Sequence, residues 1–255
     1  MKRDELLDHT DRYLNISAYQ DYGPNGLQIE GKTEIKRLAF AVSATRYSVK
    51  KAIELKADIL FVHHGLFWKF HGPKTITNAF YHRVAPLIKN DISLVGYHLP
   101  LDGHIEIGNA ASIADKINLK QLEPFGDYKG MHTGVYGKFD KPISSVELRS
   151  LLKKTLNHEV IHAKGTSENI SSLGIITGGA NSDWKQAQKL GLDAYLTGEI
   201  SEHDWHEASE GGVHFFAGGH NATEQFGIQS LMKNIHEKFG DEGHDYFFIP
   251  SDNPA

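Results

Sequence analysis

The chain has 255 residues, 40% of them hydrophobic and 23% charged, a balance that excludes a disordered or collagen-like polymer and provides for one α/β domain or two small ones. With 27 basic against 32 acidic residues the net charge is -5, so no strong nucleic-acid field is expected. Cysteine is absent and histidine occurs 16 times, so any metal must be held by imidazole and carboxylate. The start, Met1 to Leu7 followed by Asp8, His9 and Asp11, has no apolar leader, and no apolar run approaches the ~20 residues of a membrane helix. The expected compartment is the cytoplasm, with no membrane association.

In chain order, short apolar runs predict buried strands at 38–42, 59–62, 92–96, 173–177 and 213–217. Between them, Val49, Ala52 and Ile53 follow Ser48 as the predicted N-cap of a helix. Ala110, Ile113, Ala114 and Ile117 carry the i, i+3, i+4, i+7 spacing, as do Ile228, Leu231, Met232 and Ile235. Ser144-Ser145-Val146-Glu147 reads as a capping box opening a helix with Leu148, Leu151, Leu152 and Leu156. The alternation predicts an α/β fold with largely parallel sheets.

Residues 38–64 also align without gaps on residues 173–199, an offset of 135 (173 − 38). Leu38, Lys50, Ala52, Leu55 and Asp58 fall on Leu173, Lys185, Ala187, Leu190 and Asp193, and both copies read strand, turn, helix, Asp, strand. Each leads to a further strand and a His-x-x-x-carboxylate: His98 with Asp102, and His220 with Glu224. Any two βαβ units share this outline; a duplication instead predicts two similar α/β domains, 1–124 and 125–255. The C-terminal helix would pack on the first half, and the metal site would form at the interface.

Several of these residues can carry chemistry. His63 and His64 end a strand, where parallel sheets place ligands, although adjacent strand residues point to opposite faces. Two such imidazoles can each serve one ion of a pair, or be ordinary loop histidines. Asp102 beside Pro100 and Gly103 can be a ligand or an Asx-turn acceptor, and His98 can orient, transfer protons or ligate. His220 and Glu224, at i and i+4 after Gly218-Gly219, share a helix face. Glu199 is the repeat equivalent of His64 and can line the same cleft. His203 and His206 suit an exposed helix better than a metal site. Gly178-Gly179 is a weak phosphate-cradle signal. Mixed nitrogen and oxygen donors suit Zn, Fe, Mn, Ni or Co rather than Mg or Ca.

Phe61-Val62-His63-His64-Gly65, Gly96-Tyr97-His98-Leu99-Pro100-Leu101-Asp102 and Gly218-Gly219-His220-Asn221-Ala222-Thr223-Glu224 closely resemble the signatures of the Nif-three-like dinuclear-metal family, whose members are commonly called GTP cyclohydrolase 1 type 2 homologues. Asp21 to Gln28 looks like its N-terminal motif, and the length fits the short form without an inserted domain. The resemblance implies two interlinked α/β domains, two divalent metal ions per chain, held by His63, His64, Asp102, His220 and Glu224, and a homohexameric ring. It also implies a hydrolase acting on a nucleotide, with GTP opened at carbon 8 and formate released. His98 and Glu199 are the expected proton shuttles. The rival readings are a non-catalytic metal-binding, chaperone or partner-binding protein, and a ring threading nucleic acid, which the net charge disfavours.

Overall fold

The computed structural model describes residues 1–240 and 242–255. In chain order the main elements are α1 (Arg3–Tyr13), β1 (Gly26–Ile29), β2 (Arg37–Ser43), α2 (Arg46–Glu54), β3 (Ile59–His64), α3 (Asn78–Lys89), β4 (Ser93–Gly96), α4 (Leu99–Asp102) and α5 (Asn109–Lys116). They continue with β5 (Lys120–Tyr128), β6 (Met131–Ser144), α6 (Ser145–Leu156), β7 (Ile161–Ala163), β8 (Asn169–Ile176), α7 (Trp184–Lys189), β9 (Ala194–Thr197), α8 (Glu202–Glu210), β10 (His214–Ala217), α9 (His220–Phe239) and β11 (Asp245–Phe248).

Two compact units result. The first holds residues 1–101 and 228–252, the second residues 102–227 and 253–255. The division therefore falls at 101/102 and inside α9, not at 124/125, for two reasons. α5 packs on β5, β6 and β8, and β11 pairs in parallel with β2.

The first unit is built on a sheet of order β1-β4-β3-β2-β11, parallel except for β1. Both faces of its central strands are buried, which is why they read as continuous apolar runs. Ala39, Ala41, Leu60, Val62 and Leu94 pack into one core with Val49 and Ala52 of α2 and Val84 and Leu87 of α3. On the other face Phe40 stacks on Phe61, and Phe61 on Tyr97. α2 begins one turn earlier than the sequence predicts. Thr45 is the N-cap, and Ser48 occupies the third helical position of a reciprocal capping box.

The second unit has a sheet of order β5-β6-β8-β9-β10-β7, with β8, β9 and β10 parallel and the rest antiparallel. α6 starts as its sequence signature predicts, with Ser144 and Glu147 capping each other. Leu148, Leu152 and Leu156 of this helix bury with Ile113 of α5 and Val135, Leu173, Leu196 and Phe216 of the sheet. Each such side chain withdrawn from water contributes about 1.5–3 kcal/mol.

The offset of 135 is matched by hydrogen bonds within each unit. Asp58 Oδ2 accepts the backbone N–H groups of Lys36 and Arg37 at 2.9 and 3.0 Å. Asp193 Oδ2 accepts those of Ser171 and Ser172, both at 2.9 Å. The pairing continues into the third strand at a different offset: Ile59 opposes Ser93, and Ala194 opposes His214. His98 is thus equivalent to Gly219, and the two His-x-x-x-carboxylate segments stand one residue out of structural register.

Candidate metal centre

In the first unit three imidazoles gather at the carboxyl ends of β3 and β4. The His63 and His64 ring centroids are 4.6 Å apart, and the His98 ring lies 5.1 and 5.6 Å from them. One ring nitrogen from each falls within 4.8 Å of the others. His63 is fully buried, and its Nδ1–H donates to the Tyr97 carbonyl at 2.9 Å, the tautomer that presents the Nε2 lone pair. His64 Nδ1 is 2.9 Å from the hydroxyl of Ser43, its cross-strand partner. Outer-shell hydrogen bonds of this kind orient metal-binding imidazoles.

His98 is fastened differently. Its Nδ1 is 2.7 Å from Oδ1 of Asp21, whose side chain is only 2% exposed. Asp21 also accepts the backbone N–H groups of Tyr22 at 2.5 Å and Leu99 at 2.9 Å, and the Asn25 amide at 2.9 Å. Burial works to raise the Asp21 pKa, but its bonds and the charge of a protonated His98 outweigh it and hold the carboxyl below its ordinary value. Asn25 Oδ1 in turn accepts the His98 backbone N–H at 2.8 Å. A cavity of about 10 Å³, room for one water, is lined by His63, His98, Trp68, Gly65 and Gln28. A Cβ on Gly65 would sit 2.2 Å from the Gln28 amide, so glycine is needed there for Gln28 to bond the Leu66 N–H and the Pro24 carbonyl.

In the second unit Asp102, Glu199, His220 and Glu224 surround the turn after β8. His220 Nδ1 is 2.5 Å from Glu199 and its Nε2 is 3.1 Å from Glu224. Burial lowers the His220 pKa, yet the two carboxylates overcome it and raise the group to about 9. Their field favours a cation at this point. Glu224 is 3% exposed, and one of its oxygens lies within 4.8 Å of an oxygen of Asp102, which is also buried. Asp102 Oδ1 accepts from the Asn109 amide at 2.9 Å and the Thr177 hydroxyl at 3.1 Å, both neutral donors. Gly178 has φ +70°, and a Cβ there would lie 2.1 Å from Glu224 Oε1. Its N–H donates to the Thr223 hydroxyl at 3.2 Å. Gly178 is therefore a close-approach position behind Glu224, with its N–H already engaged.

The donor set, imidazole nitrogens with carboxylate oxygens, suits a divalent transition metal. Each expected ligand lies in one of these two clusters. His203 and His206 lie on α8 with side chains 59% and 62% exposed, outside both. Sequence reasoning passed over Asp21, Ser43, Asn109 and Thr177 as supports; the 21–28 motif was the one signal for Asp21.

The chain is 38% identical over 256 residues to a protein of Yersinia pestis named "GTP cyclohydrolase 1 type 2 homolog", covering all of both chains. It superposes on the solved structure titled "protein ybgI, unknown function" with TM-score 0.92 and 36% identity, again covering all of both chains. For protein TTHA1606 of Thermus thermophilus the TM-score is 0.88 at 30% identity, over all of both chains. The family model for Duf34/NIF3 (NGG1p interacting factor 3) matches residues 1–254, and the chain belongs to that family.

Proposed function

We propose that this protein is a hydrolase dependent on two divalent ions of the Zn, Fe, Mn, Ni or Co class, acting on a nucleotide or related phosphorylated small molecule. His63, His64, Asp102, His220 and Glu224 are the proposed ligands. The observation that carries the reading is the pair of clusters: imidazoles held through Nδ1 at a strand end of one unit, and buried Glu224 and exposed Glu199 bracketing His220 in the other. Divalent ions so held supply Lewis-acid activation of water.

The residues around the ligands have their own tasks. Asn109 and Thr177 aim Asp102, and Tyr97 and Ser43 aim the two strand-end histidines. His98 accepts the proton that a water loses on attacking the substrate. Glu199, expected as a second proton shuttle, is engaged at His220 Nδ1 and orients that ring. GTP is the first substrate to test because relatives are named for its cyclohydrolysis; one water would add at carbon 8 and open the ring to a formamide, and a second would cleave that amide to release formate. A homohexameric ring is the proposed assembly, checked by sedimentation. No helix among the described residues is long and apolar enough to cross a membrane.

The test begins with elemental analysis of the purified protein. Formate release from GTP and other nucleotides is then measured for wild type and Asp102→Ala at matched concentration. Metal-dependent release by wild type alone supports the hydrolase. Bound metal with no release from any nucleotide above the mutant leaves the metal-binding or partner-binding protein as the better reading.

A further inference from the structure

We infer that Asp21 is a positioning residue that fixes His98 as the proton acceptor of the site, and that residues 21–28 form the clamp in which that pair is set. This inference rests on the hydrolase reading for the role of His98, but the positioning itself has an independent readout.

The clamp is continuous along the chain. Asp21 binds the His98 ring, and Asn25 binds the His98 backbone while its amide returns to Asp21. Gly26 pairs with Gly96 in the β1/β4 ladder, and Gln28 reaches the turn after His64 through the Leu66 N–H. Both strand ends that carry the histidines are thus tied to one eight-residue segment.

Its chemistry is specific. An ionised carboxylate has no proton to donate, so it accepts Nδ1–H from His98 and selects the tautomer with its lone pair on Nε2. Asp21 stays ionised because four donors converge on it. His98 is boxed by Trp68 at 5.0 Å and Tyr22 at 6.0 Å, which leave the ring little freedom to turn. It also lines the water-sized cavity beside His63. A base needs these features: a defined lone pair, a fixed ring and a nearby site for water. His63 and His64 are bonded to a carbonyl and a hydroxyl instead, and the carboxylate on Nδ1 distinguishes His98 within its cluster.

The decisive variant is Asp21→Asn, which keeps the shape but can offer an amide N–H where the carboxylate accepted, favouring the opposite tautomer. Imidazole nitrogen NMR on metal-free protein, with His98 assigned through His98→Gln, should show Nδ1–H in wild type and Nε2–H in Asp21→Asn. Bound metal per chain should match wild type, and kcat for any nucleotide hydrolysed should fall about 10²–10⁴-fold with KM little changed. Asp21→Glu should keep the wild-type tautomer, and if Asp21→Asn fails to fold, the wild-type tautomer itself decides the positioning. The inference is overturned if wild-type His98 carries Nε2–H, or if Asp21→Asn loses metal as fully as His64→Ala. If no nucleotide is turned over by wild type, the hydrolase reading fails and with it the base role. The tautomer result then decides the positioning by itself.

Discussion

Glu199 Oε1 lies 2.5 Å from Nδ1 of His220, on the side of the ring away from Glu224. A carboxylate behind a metal-binding imidazole raises its basicity and fixes its orientation. Glu199→Gln should therefore weaken metal affinity about 10–100-fold, read by chelator competition, while stoichiometry at saturating metal stays at the wild-type value. Unchanged affinity with lost turnover would instead make Glu199 the proton shuttle that its sequence position suggested.

The ligand set is checked by single truncations. His64→Ala or Glu224→Ala should lower bound metal from about two ions per chain towards one or none, measured by elemental analysis. His71→Ala and His203→Ala should leave it unchanged, because both residues lie outside the two clusters. Full metal content in Glu224→Ala would remove that residue from the set.

Gly178→Ala combines two penalties. The backbone sits at φ +70°, where a Cβ is strained by about 1 kcal/mol, and the new methyl would overlap Glu224 Oε1. The variant should lose metal affinity as well as thermal stability. A fall in unfolding temperature with metal affinity intact would show that Glu224 moves without consequence.

A pH dependence resides away from the proposed metal ligands. His162 stacks on Phe216 at 4.4 Å, and its Nε2 is 3.0 Å from Nδ1 of fully buried His214. Burial, then the neighbouring His214, lowers the His162 pKa to about 4. The unfolded chain takes up this proton near pH 6.5 and the folded chain only near pH 4. Between those values the unfolded state binds more protons, so stability is full above pH 6.5 and falls as pH drops. The contribution lost by pH 4.5 is about 2 kcal/mol, reduced for the residual exposure of the ring. Urea unfolding of metal-free protein should show this slope in wild type and a flatter one in His162→Phe.

Asp58 and Asp193 perform the same task in the two sheets. Replacing either by Ala leaves two backbone N–H groups without their charged acceptor, and should cost about 3 kcal/mol by urea midpoint. A loss below about 1 kcal/mol for both would mean that solvent replaces the carboxylate easily.

Much of this was legible before folding. The apolar runs at 38–42 and 59–62 became β2 and β3, because strands buried on both faces must be apolar throughout. The capping box at 144–147 opened α6 where it stood. α3 was missed because Pro86 lies inside it; Asn90 Nδ2 bonds the Pro86 carbonyl in the last turn. The β5/β6 hairpin escaped because β5 is mostly exposed and contains Pro124, so neither alternation nor an apolar run marks it. The residues of the candidate site stood out by type and position, whereas the supports did not. Asp21 and His98 lie 77 positions apart, a separation that no local pattern spans.

The Asp58 and Asp193 contacts lie at the amino ends of their strands, opposite the ends where the histidines, Glu199 and Gly178 gather. Each aspartate thereby fixes strand alignment at the end of its sheet away from the candidate site. That separation makes the carboxyl-end loops natural sites for grafting: foreign segments can replace them while the underlying strands keep their pairing, and libraries randomised there should retain a high proportion of folded members.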